Sequence, residues 1–157
     1  GLTDGSYGLL PNHRDYRVSV FGGYQATDNL VLGFNATLTD GRPFGCIGTH
    51  PTDTFAQQYG DDSWFCAGQA TPRGSISKSD TIFSLDFSMA FDMGGAGIIK
   101  ESFFKVDVFN ILGQDGVDDI NEYGENGGPS SYPQQYYQLP VSYQYPRQIR
   151  LGLEARF

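Results

Sequence analysis

The sequence predicts an all-β protein, an antiparallel meander of about five strands that forms part of a transmembrane barrel. Three observations predict it. The closing stretch, Arg147-Gln-Ile-Arg-Leu-Gly-Leu-Glu-Ala-Arg-Phe157, alternates without a fault. Ile149, Leu151, Leu153, Ala155 and Phe157 fall on one face, and Arg150, Glu154 and Arg156 on the other. Short turns and long polar loops alternate along the chain, as in outer-membrane barrels. The composition, 15% aromatic with 21 glycines in 157 residues, suits strands and turns rather than long helices.

The same numbers exclude other classes. A net charge of −8 argues against binding a nucleic-acid backbone, which needs a basic face. No apolar run reaches the roughly 18 residues of a membrane-spanning helix. A barrel hides its apolar residues in alternation, so low mean hydropathy is compatible with it. The chain opens Gly-Leu-Thr-Asp-Gly-Ser-Tyr-Gly, with no basic-then-apolar start, and reads as a mature product or a fragment. Cys46 and Cys66 sit in one loop-like stretch. An even count there suggests a disulfide and an oxidising compartment, the alternative being two free thiols. Closing a loop of that length would stabilise by about 3 kcal/mol.

The first strand is expected at about 16–26, with Tyr16, Val18, Val20, Gly22 and Tyr24 on one face; Phe21 intrudes on the polar side. Thr27-Asp28-Asn29 reads as a tight turn, which would pair residues 26 and 30. The second strand follows at about 30–39, with Leu32 opposite Tyr24 and Phe34 opposite Gly22. The pattern then dissolves into a loop at about 40–79, long enough to be functional. A third strand at about 81–92 carries Phe83, Leu85, Phe87, Met89 and Phe91 on one face. Gly94-Gly95-Ala96-Gly97 reads as a short turn into a fourth strand at about 99–112. Pairing Asp92 near Ile99 would set Phe87 against Phe104 and Asp86 against Lys105, with only two-residue slips competing. A second long loop, 113–146, is acidic and then aromatic, and the closing strand runs at about 147–157.

In such a meander all short turns lie at one end and all long loops at the other. Short periplasmic turns, long extracellular loops and a periplasmic C-terminus are therefore expected. Tyr24, Phe91 and Phe157 would join a lower aromatic girdle, and Phe44, Phe83 and Tyr145 an upper one. Five strands cannot close alone, because single-chain barrels have at least about eight. Either further strands lie N-terminal to this portion or several chains share one barrel.

Several stretches carry a family resemblance: Leu10-Pro-Asn-His-Arg-Asp-Tyr-Arg17, Gly33-Phe-Asn-Ala-Thr-Leu-Thr-Asp-Gly-Arg-Pro-Phe44, Pro72-Arg-Gly74, Lys105-Val-Asp-Val-Phe-Asn-Ile-Leu112, Ile120-Asn-Glu-Tyr-Gly-Glu125 and the run Tyr145 to Phe157. Together the chain resembles the C-terminal end of a TonB-dependent outer-membrane receptor of the Oar-like type. The resemblance implies a 22-stranded barrel with a plugged lumen. It implies partners too: the rest of the barrel and its plug, TonB engaged through that plug, the barrel-assembly machinery and outer-membrane lipid. The plug and its TonB-engaging motif are absent from this sequence. It further implies a location in the bacterial outer membrane, and that Leu151, Leu153 and Phe157 belong to a C-terminal assembly signal.

Asp86, Lys105, Asp107, Arg150, Glu154 and Arg156 are expected to face the lumen, wetting it and pairing across strands. Tyr132, Tyr136, Tyr137 and Tyr143 are candidate ligand-loop aromatics. The acidic loop with Asp115, Asp118, Asp119, Glu122 and Glu125 offers oxygen ligands for calcium, without EF-hand order; the plainer reading is a solvated loop. His13 and His50 with the two cysteines do not match zinc spacings. No nucleophile elbow is present and no enzyme is expected. The expected function is binding and import of a ligand at the cell surface. The alternatives are an oligomeric outer-membrane barrel or adhesin built from short chains, and a soluble secreted β-sandwich binding module.

Overall fold

The structure, a computed structural model, describes residues 1, 3–60, 62–98 and 100–155. Its strands, in chain order, are β1 (Arg17–Thr27), β2 (Leu30–Thr39), β3 (Pro43–Phe44), β4 (Phe65–Cys66), β5 (Gln69–Ala70), β6 (Ser77–Lys78), β7 (Ile82–Asp92), β8 (Ser102–Phe109), β9 (Val117–Ile120), β10 (Pro140–Tyr143) and β11 (Gln148–Ala155). One short helix, α1 (Thr54–Gln57), and a 3-10 turn (Pro129–Ser131) complete the described elements. The protein is all-β, and its main element is a five-stranded antiparallel sheet in the order β1-β2-β7-β8-β11.

The chain divides into two compact units. The sheet unit comprises Arg17–Thr39, Ile82–Gly116 and Gln144–Phe157. Alternation builds it: each long strand places successive side chains on opposite faces, and the pairing keeps like faces together. Val18, Val20 and Tyr24 share a face with Leu32, Phe34 and Leu38, with Phe83, Leu85, Phe87, Met89 and Phe91, with Phe104, Val106 and Val108, and with Ile149, Leu151 and Leu153. Among the described residues, no apolar side chain of this unit is buried; the unit's buried residues are Ser102 and Asn110. Phe83, Leu85, Phe87 and Phe91 are half-buried between neighbouring strands. In the sheet order β1 and β11 each have a single neighbour.

Tyr24 pairs with Leu32 and Gly22 with Phe34, while the turn differs from its expected form. Thr27 rather than Ala26 pairs with Leu30, so the loop is the two-residue Asp28-Asn29 and a bulge falls between Gln25 and Thr27. The bulge absorbs the residue that a three-residue loop would have held.

The β7–β8 register is a larger correction. Phe87 faces Val108, Met89 faces Val106 and Phe91 faces Phe104, four positions away from the expected pairing of Phe87 with Phe104. Asp86 is therefore not opposite Lys105, although both lie on one face. The physical reason is a longer connection, 93–101, closed by its own bonds. The Met93 N–H donates to Ser102 O at 2.9 Å, the Ile98 N–H to Met93 O at 2.8 Å, and the Gly95 N–H to Asp92 Oδ1 at 2.8 Å. β8 also stops at Phe109, short of residue 112, because Asn110 takes φ +48 and leaves the strand.

The second unit comprises Gly1–Tyr16, Asp40–Thr81 and Val117–Tyr143. It holds the short two-stranded pairs β3–β6, β4–β5 and β9–β10 and the buried apolar side chains of Pro43, Phe44, Cys46, Ala56 and Cys66. Phe44 was expected in an aromatic girdle; it packs inside this unit instead. The β4–β5 hairpin turns through Ala67 (φ 50) and Gly68 (φ 72), both left-handed as a tight primed turn requires.

Candidate functional site

The polar face of the sheet carries the charges singled out from the sequence. Asp86, Lys105, Asp107, Arg150 and Glu154 share this face with Asn35 and Ser88; Arg156 lies outside the described residues. Arg150 sits directly opposite Asp107 and donates to its Oδ2 from Nε at 3.0 Å and from Nη2 at 2.8 Å. Its guanidinium also lies 5.4 Å from the centre of the Phe109 ring. Lys105 Nζ donates to Glu154 Oε2 at 2.8 Å. These pairs are exposed, and such pairs contribute only about 0.2–1 kcal/mol each. They set where the charges point more than how stable the sheet is.

Asp86 is held differently. It accepts from Ser84 Oγ at 3.0 Å, from the Asn110 N–H at 2.9 Å and from Asn35 Nδ2 at 3.3 Å. Asn110 was not singled out from the sequence. It is buried, and its Nδ2 donates to Gln114 O and Tyr145 O at 2.7 and 2.9 Å while its Oδ1 accepts from the Gln114 N–H at 3.1 Å. A strand-ending Asn two residues before a Leu-Gly pair was the available signal, since Asn tolerates the left-handed region. On the opposite face, Leu151 and Leu153 are among the most exposed apolar residues of β11; Phe157 lies outside the described residues.

In the second unit Cys46 and Cys66 form a disulfide with a Cα separation of 6.1 Å. The acidic stretch packs against it. The Ile47 N–H donates to Glu122 O, and the Gly124 N–H to Ile47 O, both at 2.8 Å, drawing residues 122–124 alongside Ile47. Glu125, 2% exposed, accepts from the Ala67 N–H at 2.6 Å and the Thr49 N–H at 2.8 Å. Glu122 accepts from the Gly45 N–H at 2.9 Å and pairs with Arg42, which also pairs with Asp119. Arg14 Nη2 lies 3.1 Å from Asp118 Oδ1. The plainer expectation of a solvated loop is thus corrected at Glu122 and Glu125, which are interior acceptors. The carboxylates are committed to arginines and amides, and among the described residues no cluster of three or more His, Cys, Asp or Glu has the arrangement to hold a metal ion. Asp115 falls in the sheet unit, apart from that stretch.

His50, also buried, accepts at Nδ1 from the Asp53 N–H at 3.0 Å and the Thr52 N–H at 3.3 Å, and its Nε2 faces Asp4 Oδ2 at 3.2 Å. It shapes the turn into α1, whose N-cap is Asp53. The candidate aromatics occupy the 117–143 segment. Tyr136 and Tyr143 are strongly exposed and Tyr132 is just exposed, while Tyr137 is half-buried with its ring 5.7 Å from that of Tyr132. Burial pushes the Tyr137 phenol up from its usual range. Tyr136 and Tyr143 offer free ring faces; Tyr132 and Tyr137 pack on each other. Compared with protein-family models, curated proteins and solved structures, the chain finds no match.

Proposed function

We propose that the chain is the C-terminal section of a larger outer-membrane β-barrel, a TonB-dependent receptor of the Oar-like type with 22 strands, which binds a ligand at the cell surface and imports it. The observation that carries this reading is the apolar face of the five-stranded sheet. Val18, Val20, Tyr24, Phe34, Ile149, Leu151 and Leu153 stand exposed on it, and no apolar side chain of the unit is buried among the described residues. Soluble monomers rarely expose contiguous apolar patches beyond about 300–600 Å². A sandwich would bury such a face against a second sheet about 10 Å away. Lipid is the solvent that suits it, and a backbone in lipid must pair both sheet edges. β1 and β11 each lack one neighbour, so the reading adds strands on both sides.

On this reading Asp86, Lys105, Asp107, Arg150 and Glu154 face the lumen, the disulfide-bonded unit is extracellular, and its exposed Tyr136 and Tyr143 belong to the ligand surface. The wall carries out no chemistry. The plug, TonB and the barrel-assembly machinery are partners of the whole receptor. Two measurements test it. Protease added to intact cells should cut within 40–79 of the membrane-embedded protein and leave the sheet strands protected; recovery of the chain in the soluble fraction would overturn the reading. The mass of the native polypeptide separates its two barrel forms. A receptor is several times longer than this chain, whereas a native mass near 17.3 kDa would replace it with a barrel assembled from several copies.

A further inference from the structure

The polar face of the sheet holds a trough. Phe21, Asn35 and Asp86 succeed one another on one rung across β1, β2 and β7. The next rung runs Gly23, Gly33, Ser88, Asp107 and Arg150. That rung is low in its first half. Gly33 has no side chain, and Ser88 Oγ lies so close that a β-carbon at 33 would be 2.5 Å from it. The bulkier rung stands beside it, and together with Phe109 it walls a hollow of about 340 Å³.

The Asp107–Phe109 half of this hollow already has a cation beside it. Arg150 lays its guanidinium 5.4 Å from the Phe109 ring centre and donates twice to Asp107. The other half repeats the parts without the cation. Phe21 presents an open ring face, 80% exposed, and Asp86 presents a carboxylate. All three donors to Asp86 are neutral, and among the described residues no Lys or Arg forms an ion pair with it. Lys105, on the same face, is engaged by Glu154. Phe21 and Asp86 stand two strands apart, about 10 Å between backbones. Asn35 stands between them on the same rung, its Nδ2 3.3 Å from Asp86 Oδ2, and all three side chains line the hollow.

We propose that the Phe21–Asp86 half of the trough is a subsite for a guanidinium group, supplied by an arginine side chain of a polypeptide partner. Arginine fits better than lysine. Its planar fork can bond Asp86 and the Asn35 side-chain oxygen while its face covers Phe21, whereas an ammonium is a compact, strongly hydrated point charge. The geometry belongs to the sheet alone, so the inference stands whether or not the sheet lines a barrel.

The test uses the native protein that contains this chain, isotope-labelled and folded in detergent micelles, titrated with Nα-acetyl-arginine amide and with its neutral citrulline counterpart. The arginine compound should cause saturable shifts at the amides of Asn35, Asp86 and Ser88, and the citrulline compound none. Asp86→Asn should weaken binding about fivefold, the scale of a partly screened ion pair. Phe21→Ala should weaken it about two- to fivefold through the lost cation–π contact. Phe21 is exposed, so its truncation leaves the sheet intact and keeps the test valid should Asp86→Asn disturb the Asn110 corner. Absence of saturable shifts, equal shifts with citrulline, or undiminished binding by Phe21→Ala would overturn the proposal.

Discussion

Gly124 lies against the Cys46–Cys66 disulfide so closely that a β-carbon on it would sit 2.2 Å from the Cys46 sulfur and 2.9 Å from that of Cys66. Both sulfurs are fixed by their bond, so neither can rotate away as a flexible side chain would. The same residue donates its N–H to Ile47 O and accepts at its carbonyl from the Gln134 N–H at 2.9 Å, so the backbone cannot retreat without losing both. Gly124→Ala should therefore destabilise the disulfide-bonded unit by about 1–3 kcal/mol, the range for forced overpacking. Denaturant unfolding followed by the near-ultraviolet signal checks it. An unchanged midpoint would show that the 122–124 segment shifts freely.

Glu125 closes the same region from the other side. Its two carboxylate oxygens each accept a backbone N–H, from Ala67 and from Thr49, with the side chain almost fully buried. Glu125→Gln keeps the shape but turns one acceptor into an NH₂ donor facing an N–H. One part-buried N–H then loses its partner, a cost of about 1 kcal/mol, the low end for an unsatisfied donor. Hydrogen exchange should report faster exchange at Thr49 or Ala67. Full protection of both amides in the variant would mean another acceptor is at hand.

Lys78 sets a pH window for the second unit. Its Nζ lies 2.5 Å from a carboxylate oxygen of Asp15 and of Asp40. Those hydrogen bonds hold both carboxyls below the usual range and raise the Lys78 ammonium above its own. A depressed carboxyl stabilises the fold above its unfolded value, near pH 4, and that contribution disappears as pH falls through the lower folded value. A raised ammonium stabilises below about pH 10 and is lost as pH climbs through the higher folded value. The contribution of this trio should be flat between those limits and fall on both sides. Lys78→Met should lower the plateau and soften both falls, as read from urea midpoints against pH. Identical acid limbs in the two proteins would remove Lys78 from the account.

The sheet was legible because its information is local. Period two assigns every side chain of the strands to a face, and pairing like faces leaves few arrangements. The same rule explains the miss at β7–β8. A displacement of four positions preserves both faces, so hydrophobic pattern is blind to it; the choice was made by the bonds of residues 93–101. The second unit was opaque for the opposite reason. Glu125 is bonded to Ala67, 58 positions away, and to Thr49, 76 positions away; Glu122 bonds to Gly45 at 77. Nothing adjacent to these glutamates distinguishes an interior acceptor from a solvated charge. The disulfide was readable because two cysteines leave one pairing within the chain, whereas four acids and two arginines leave many.

The two faces of β11 supply the sharpest contrast available in one strand. Leu151 and Leu153 are about two-thirds exposed on the apolar face, and Arg150 is exposed on the polar one, one residue away. In water, arginine at any of these positions would cost little, since none is buried. In lipid they differ. Arginine on the outer face near the bilayer midplane costs about 2–4 kcal/mol, while lumen-side changes do not carry that penalty. In the native protein that contains this chain, Leu151→Arg should therefore impair folding into detergent or lipid vesicles, and Arg150→Leu should leave it nearly unchanged apart from the lost pair with Asp107. The shift in electrophoretic mobility between heated and unheated samples measures the folded fraction of each. Equal folding of the Leu151→Arg variant and the parent protein in vesicles would mean the apolar face of the sheet does not meet lipid.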